Sequence, residues 1–278
     1  MGEIREPSVA GTFYPRNPDV LKADIETYLD KVPPAKIDGD IRGLISPHAG
    51  YMYSGPTAAY GYKAVAGRRY DTVIILAPSH RSFFIGAAVQ GAGAYKTPLG
   101  LVDIDADLAD ALIKAGDLVH ADAKMHRGEH SIEVQVPFLQ SVLRDFKIVP
   151  LIMGSAQDPQ GSMDLGELIY ETIRVREGEY LVVGSTDLSH YYPYGMAVTL
   201  DKAAIAMIER FDIKGLAQGL TQARYEACGA GAILAAMTVC ERLGATRARA
   251  LNYANSGDVT GEMSGVVGYV SCVLYGGQ

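Results

Sequence analysis

Apolar residues come in blocks along this chain. Four short runs, at 41–47, 72–78, 147–153 and 180–186, are continuously apolar rather than alternating. That is the pattern of strands covered on both faces of a sheet. Between and after them, apolar positions recur at helical spacing over roughly 55–66, 105–115, 131–144, 162–176, 196–210, 213–221 and 229–243. A further helix opens at Asn17-Pro18-Asp19, which supplies an N-cap, a proline at the first helical position and an acidic first turn. Leu21, Ile25, Tyr28 and Leu29 mark its apolar face, and Val32-Pro33-Pro34 ends it. Two closing strands, about 246–253 and 265–275, flank the turn-rich Asn255-Ser256-Gly257-Asp258 and suggest a hairpin-like return. The pattern predicts one α/β domain spanning 1–278, with a central, largely parallel buried sheet flanked by helices. No repeat, linker or charge block divides it.

Composition narrows the function. Across 278 residues, 25 Lys and Arg face 32 Asp and Glu, a formal net charge of −7. An acidic balance without basic clusters argues against a nucleic-acid partner and against a membrane surface. No apolar stretch nears the ~20 residues needed to span a bilayer. Met1-Gly2-Glu3-Ile4-Arg5-Glu6 is charged and lacks the apolar core of a secretory signal. Three cysteines, Cys228, Cys240 and Cys272, make no disulfide framework and read as thiols of a cytoplasmic protein.

The histidines carry the chemistry. His48, His80 and His190 each follow a strand-like run. In an open parallel sheet the carboxyl ends of the strands border the ligand crevice, so parallel neighbours would bring three imidazoles together. Cys228, in Ala227-Cys228-Gly229, precedes an apolar helix. A helix N-terminus lowers a thiol's pKa and favours the thiolate that binds metal or attacks a substrate. Cys240 and Cys272 read as core. Asp187, three residues before His190, is open to three roles: orienting an imidazole, ligating a metal, or capping a turn. Tyr51-Met52-Tyr53-Ser54-Gly55 forms either a crevice wall or an ordinary turn. Nothing in the spacing of Glu129, His130 and Glu133 demands a place in the cleft, and His120 and His126 read as solvated loop residues. No nucleotide-binding motif occurs.

Taken in order, several stretches resemble the Memo family: Glu6-Pro7-Ser8-Val9-Ala10-Gly11-Thr12-Phe13-Tyr14-Pro15, Ser46-Pro47-His48-Ala49-Gly50-Tyr51, Ala77-Pro78-Ser79-His80, Glu129-His130-Ser131-Ile132-Glu133, Ser185-Thr186-Asp187-Leu188-Ser189-His190, Ala227-Cys228-Gly229 and Leu251-Asn252-Tyr253-Ala254. The resemblance implies a fold similar to that of the class III extradiol dioxygenases, which are non-haem iron enzymes. It implies His48, His80 and Cys228 as metal ligands, with Asp187 and His190 beside them, and iron or copper as the metal, zinc being the third option. Those dioxygenases use two histidines and a carboxylate. A thiolate at Cys228 would be softer and more electron-donating.

Three functions follow as expectations. The first is redox or dioxygenase-like chemistry on a small molecule, with His190 as general acid or base and Asp187 beside it. The second is a binding module that holds a peptide or small anion in the same cleft without turnover. The third is a cysteine hydrolase with Cys228 as nucleophile, His190 as base and Asp187 as orienter. An oligomer is compatible with all three.

Overall fold

The computed structural model describes residues 2–154 and 158–277, so Met1 and Gln278, the bounds of the expected domain, lie outside the described residues. The first half of the chain forms β1 (Ile4–Arg5), α1 (Pro18–Asp30), β2 (Asp40–Ser46), α2 (Tyr51–Val65), β3 (Thr72–Pro78), β4 (Ala87–Val89), β5 (Ala94–Thr97) and β6 (Gly100–Asp103). Then come α3 (Ala106–Ala115), β7 (Val119–Ala121), two 3-10 turns (Ala123–His126 and Glu133–Gln135), α4 (Val136–Val142) and β8 (Lys147–Met153). The second half adds α5 (Pro159–Ile173), β9 (Tyr180–Ser185), β10 (His190–Tyr192), α6 (Tyr194–Glu209), α7 (Ile213–Thr221), α8 (Ala230–Arg242), β11 (Arg247–Asn255), α9 (Ser256–Thr260) and β12 (Val266–Gly276).

The four apolar runs become β2, β9, β3 and β8, adjacent and parallel in that order. Every residue of β3 is buried, as a strand covered on both faces requires. Helices pack on the two faces. Neighbouring strand residues point to opposite sides, and in β2 Gly43 lies against Cys240 of α8 while Leu44 lies against Gly61 of α2. Cys240 and Cys272 are fully buried, in keeping with core roles.

The sheet as a whole is mixed, not largely parallel. Its order is β10-β12-β2-β9-β3-β8-β4-β7, with β11 also paired to β12. β12 runs antiparallel to β2, β10 and β11, and β4 runs antiparallel to β8. For the closing pair the reason is local. β11 and β12 return on each other through the short α9, and direct returns make antiparallel ladders whereas parallel neighbours need long crossovers. A second, three-stranded sheet joins β1, β5 and β6.

The helix expected at 131–144 starts later, at Val136, because Pro137 restarts it after a 3-10 turn. Asn17 caps α1 as expected, accepting from the N–H groups of Asp19 and Val20. Among the described residues no helix is long and apolar enough to cross a membrane.

Candidate metal centre

β2, β9 and β3 end together: Ser46 lies level with Ser185, and Leu76 with Gly184. The loops leaving these ends carry His48, His80 and Asp187. Parallel neighbours thus gather residues distant in sequence at one edge of the sheet. The fourth segment arrives from the turn before α8. Thr186 and Asp187 receive it: Gly229 N–H donates to Thr186 Oγ1 (2.9 Å), and Cys228 N–H donates to the Asp187 carbonyl (3.1 Å). Asp187 N–H in turn donates to Cys228 Sγ (3.2 Å). A Cβ at Gly229 would sit 2.3 Å from the Ser185 carbonyl oxygen, so only glycine lets the two segments meet this closely.

As a result, one ligand atom each from His48, His80 and Cys228 lies within 4.8 Å of the others. His48 Nε2 stands 3.2 Å from Cys228 Sγ, and the rings of His48 and His80 meet edge to face at 5.1 Å. A second grouping of the same kind joins His80, Glu129 and His130. The His130 ring stacks on His80 at 4.7 Å, meets His48 edge-on at 5.5 Å and is covered by Phe13 at 4.8 Å. Glu129 and His130, undecided in the sequence, therefore belong to the centre.

Glu133 does not. It is buried beneath the N-terminal segment, where it pairs with Arg5 and accepts from Ser8 N–H, Val9 N–H and the Tyr14 hydroxyl. Arg5 also donates to the carbonyls of Glu129 and His126, which ties that loop down. His126 is buried rather than solvated. Its Nε2–H donates to the Ala88 carbonyl, Tyr95 donates to its Nδ1, and burial pulls its pKa down to about 4. His120 is half-buried on β7, its ring against Phe84.

Each ionisable group has its own electrostatic setting. Burial, reinforced by the nearby His80 and His130, holds His48 well below the usual histidine range. For His80, burial acts downward, but the hydrogen bond and charge of Glu129 outweigh it and raise the pKa. Glu129 accepts from the His80 ring (2.9 Å) and from the backbone N–H groups of His80, His130 and Ser131. Burial opposes its ionisation, yet those bonds keep its carboxyl far below the usual carboxylate range. Asp187, which accepts from His48 N–H (2.8 Å), is pushed up to about 7 by burial.

Cys228 departs from expectation. Burial, with Asp187 nearby, raises its thiol pKa instead of lowering it. The dipole of α8 is a surface-scale effect, and here desolvation outweighs it.

His190 and Asp187 sit at the same edge, outside both groupings. Asp187 Oδ2 is 4.0 Å from His48 Nε2. His190 is held from behind, its N–H donating to Glu226 (2.7 Å), a residue with no signal in the sequence. The pairing with β12 slips between His190 and Tyr192. At that slip Tyr191 adopts a left-handed backbone (φ 64°) and stands in solvent. Among the described residues no hydrogen bond joins Cys228 to His190, as the hydrolase reading requires; the sulfur's imidazole partner is His48.

Comparison with known proteins agrees with the sequence motifs. A family model described as Memo-like protein matches residues 5–273. A MEMO1 family protein of Methanothermobacter thermautotrophicus is 38% identical over 273 residues, covering 96% of this chain and 98% of its own. Another, from Methanocaldococcus jannaschii, is 38% identical over 288 residues, covering 99% of this chain and all of its own. An uncharacterized Escherichia coli K12 protein shares the fold at a TM-score of 0.53 and 13% identity, over 84% of this chain and all of that one. The chain belongs to the Memo family.

Proposed function

We propose that this chain binds a redox-active metal, iron or copper, through His48, His80 and Cys228, and serves dioxygenase-like oxidation of a small substrate. The observation that carries this reading is the convergence of those three ligand atoms within 4.8 Å at the carboxyl edge of the parallel strands. The donor set fits such a metal. Imidazole nitrogens with a thiolate suit iron, copper or zinc, whereas calcium and magnesium prefer oxygen. When bound, the metal would supply Lewis acidity and a site for electron transfer. The reading takes the fold to be of the class III extradiol dioxygenase type, with Cys228 in place of a carboxylate ligand.

The chain's own groups do the rest. Glu129 holds the His80 ring in place through its Nδ1. Asp187, with its carboxyl 4.0 Å from His48 Nε2, is placed to hold or release a proton beside the ligands. His190 and His130 flank the same edge as proton donors or acceptors. A positioned acid or base of this kind is typically worth ~10²–10⁴-fold in rate.

The test is elemental analysis of the purified protein, its His48→Ala form and its Cys228→Ser form. Stoichiometric iron or copper is expected in the parent and loss in both variants. Full metal content in both variants would reject the ligand set. Oxygen uptake by the iron-reconstituted protein over a panel of catechol-like compounds then tests for turnover.

A further inference from the structure

Behind His48, on the side away from Cys228, runs a chain of buried hydrogen bonds whose directions are all determined. Gln135 Nε2 lies 3.0 Å from the Pro47 carbonyl and 2.7 Å from Ser185 Oγ. A carbonyl only accepts, so the atom facing Pro47 is the amide nitrogen. This orients the amide, and Gln135 Oε1 accepts from the Tyr62 hydroxyl at 2.5 Å. Ser185 Oγ lies 2.7 Å from the Ser131 carbonyl, which also only accepts. A hydroxyl has one proton and two lone pairs, so Ser185 gives its proton to Ser131 and receives one from Gln135. Its remaining lone pair faces His48 Nδ1 at 2.9 Å.

We infer that Ser185 and Gln135 are positioning residues that hold His48 as its Nδ1–H tautomer, leaving the Nε2 lone pair directed at Cys228 and the metal position. No proton other than one on Nδ1 can fill the 2.9 Å gap to Ser185. Nδ1 thus carries a proton, and in the neutral ring Nε2 is the unprotonated nitrogen, the atom a metal requires. Ser185 and Gln135 are both fully buried, which keeps water from offering an alternative partner. The benefit to a metal rests on the proposed function; the tautomer itself does not.

The experiment therefore begins without metal. Long-range proton–nitrogen correlation spectra of histidine-labelled, metal-free protein at neutral pH read the tautomer directly. A pyrrole-type Nδ1 and a pyridine-type Nε2 for His48 are expected. An Nε2–H pattern, or an imidazolium, would overturn the inference, and this reading needs no variant to fold. In Ser185→Ala the His48 signals should move to a tautomer mixture, and affinity for cobalt(II) alone should fall about 10–100-fold. Ser185→Thr, which keeps the hydroxyl, should retain the parental pattern. A folded Ser185→Ala with unchanged His48 signals, or equal losses in both variants, would remove the positioning role. The expected tautomer in a protein that takes up no metal would sink the metal reading and leave this one standing.

Discussion

His48 and His80 stand side by side at the edge of the sheet, yet the protein holds them by opposite means. His48 is 1% exposed and leans on uncharged groups, a serine hydroxyl and behind it a glutamine amide. The side chain of His80 is 34% exposed and leans on the carboxylate of Glu129. Electrostatics explain the division. Two protonated rings 5.1 Å apart would repel, and the deep one would also lose its hydration. Burial keeps the deep imidazole neutral, and the partner of its Nδ1 is itself uncharged. The shallow one, within reach of water, tolerates a charged partner that also anchors the loop bearing His130. A site with two imidazoles can be asymmetric by construction, one side governed by burial and the other by charge.

The charged side should be the easier to break. Arg5→Met removes the cation facing Glu133, whose side chain is fully buried. Leaving one member of a buried pair unpaired typically costs about 3–5 kcal/mol. The urea midpoint should fall accordingly, and a loss below about 1 kcal/mol would mean that the ion pair does not hold the loop. The neutral side can be sharpened with His126, another imidazole that burial keeps uncharged. Its pKa of about 4 lies below the ordinary 6.5, so between these values the native state binds fewer protons than the unfolded chain. Its contribution is complete above pH 6.5 and is lost as pH falls toward 4, worth about 3 kcal/mol over that window. Unfolding followed from pH 7 to 4 should show this slope, and His126→Gln should flatten it; an equal slope in both proteins would contradict the assignment. The smallest expected effect is at Glu129→Gln, which keeps the shape behind His80 but removes the charge. Metal affinity should drop about 10–100-fold, measured by competition with a chromophoric chelator. A change within threefold would show that the carboxylate's charge is not what orients His80.

What could be read from the sequence follows from the same physics. The central strands were legible because burial on both faces leaves an unbroken apolar run, and His48, His80 and His190 because they follow such runs directly. The edges were not. β4, β7 and β10 are three residues each, too short for periodicity to register. The start of α2 at Tyr51 was hidden because its cap, Gly50, makes no side-chain hydrogen bond. Glu129, His130 and Glu133 could not be sorted, because Arg5, more than 120 residues away, decides which of them faces the centre. At Cys228 burial outweighs the helix dipole, and sequence shows a helix start but not how dry its surroundings are. The parallel reading of the sheet failed at β12, whose place beside β2 is a matter of long-range pairing.

The spacing of the three donors also orders events at the ribosome. Cys228 lies 180 residues beyond His48, so both imidazoles leave the exit tunnel long before the sulfur does. The strand ends bearing His48 and His80 also need β9, which threads between β2 and β3, before they stand side by side. Nascent chains thus lack the His48–His80–Cys228 cluster until the sulfur has emerged. On the proposed ligand set a cation would be gripped only after nearly the whole polypeptide has been made and folded.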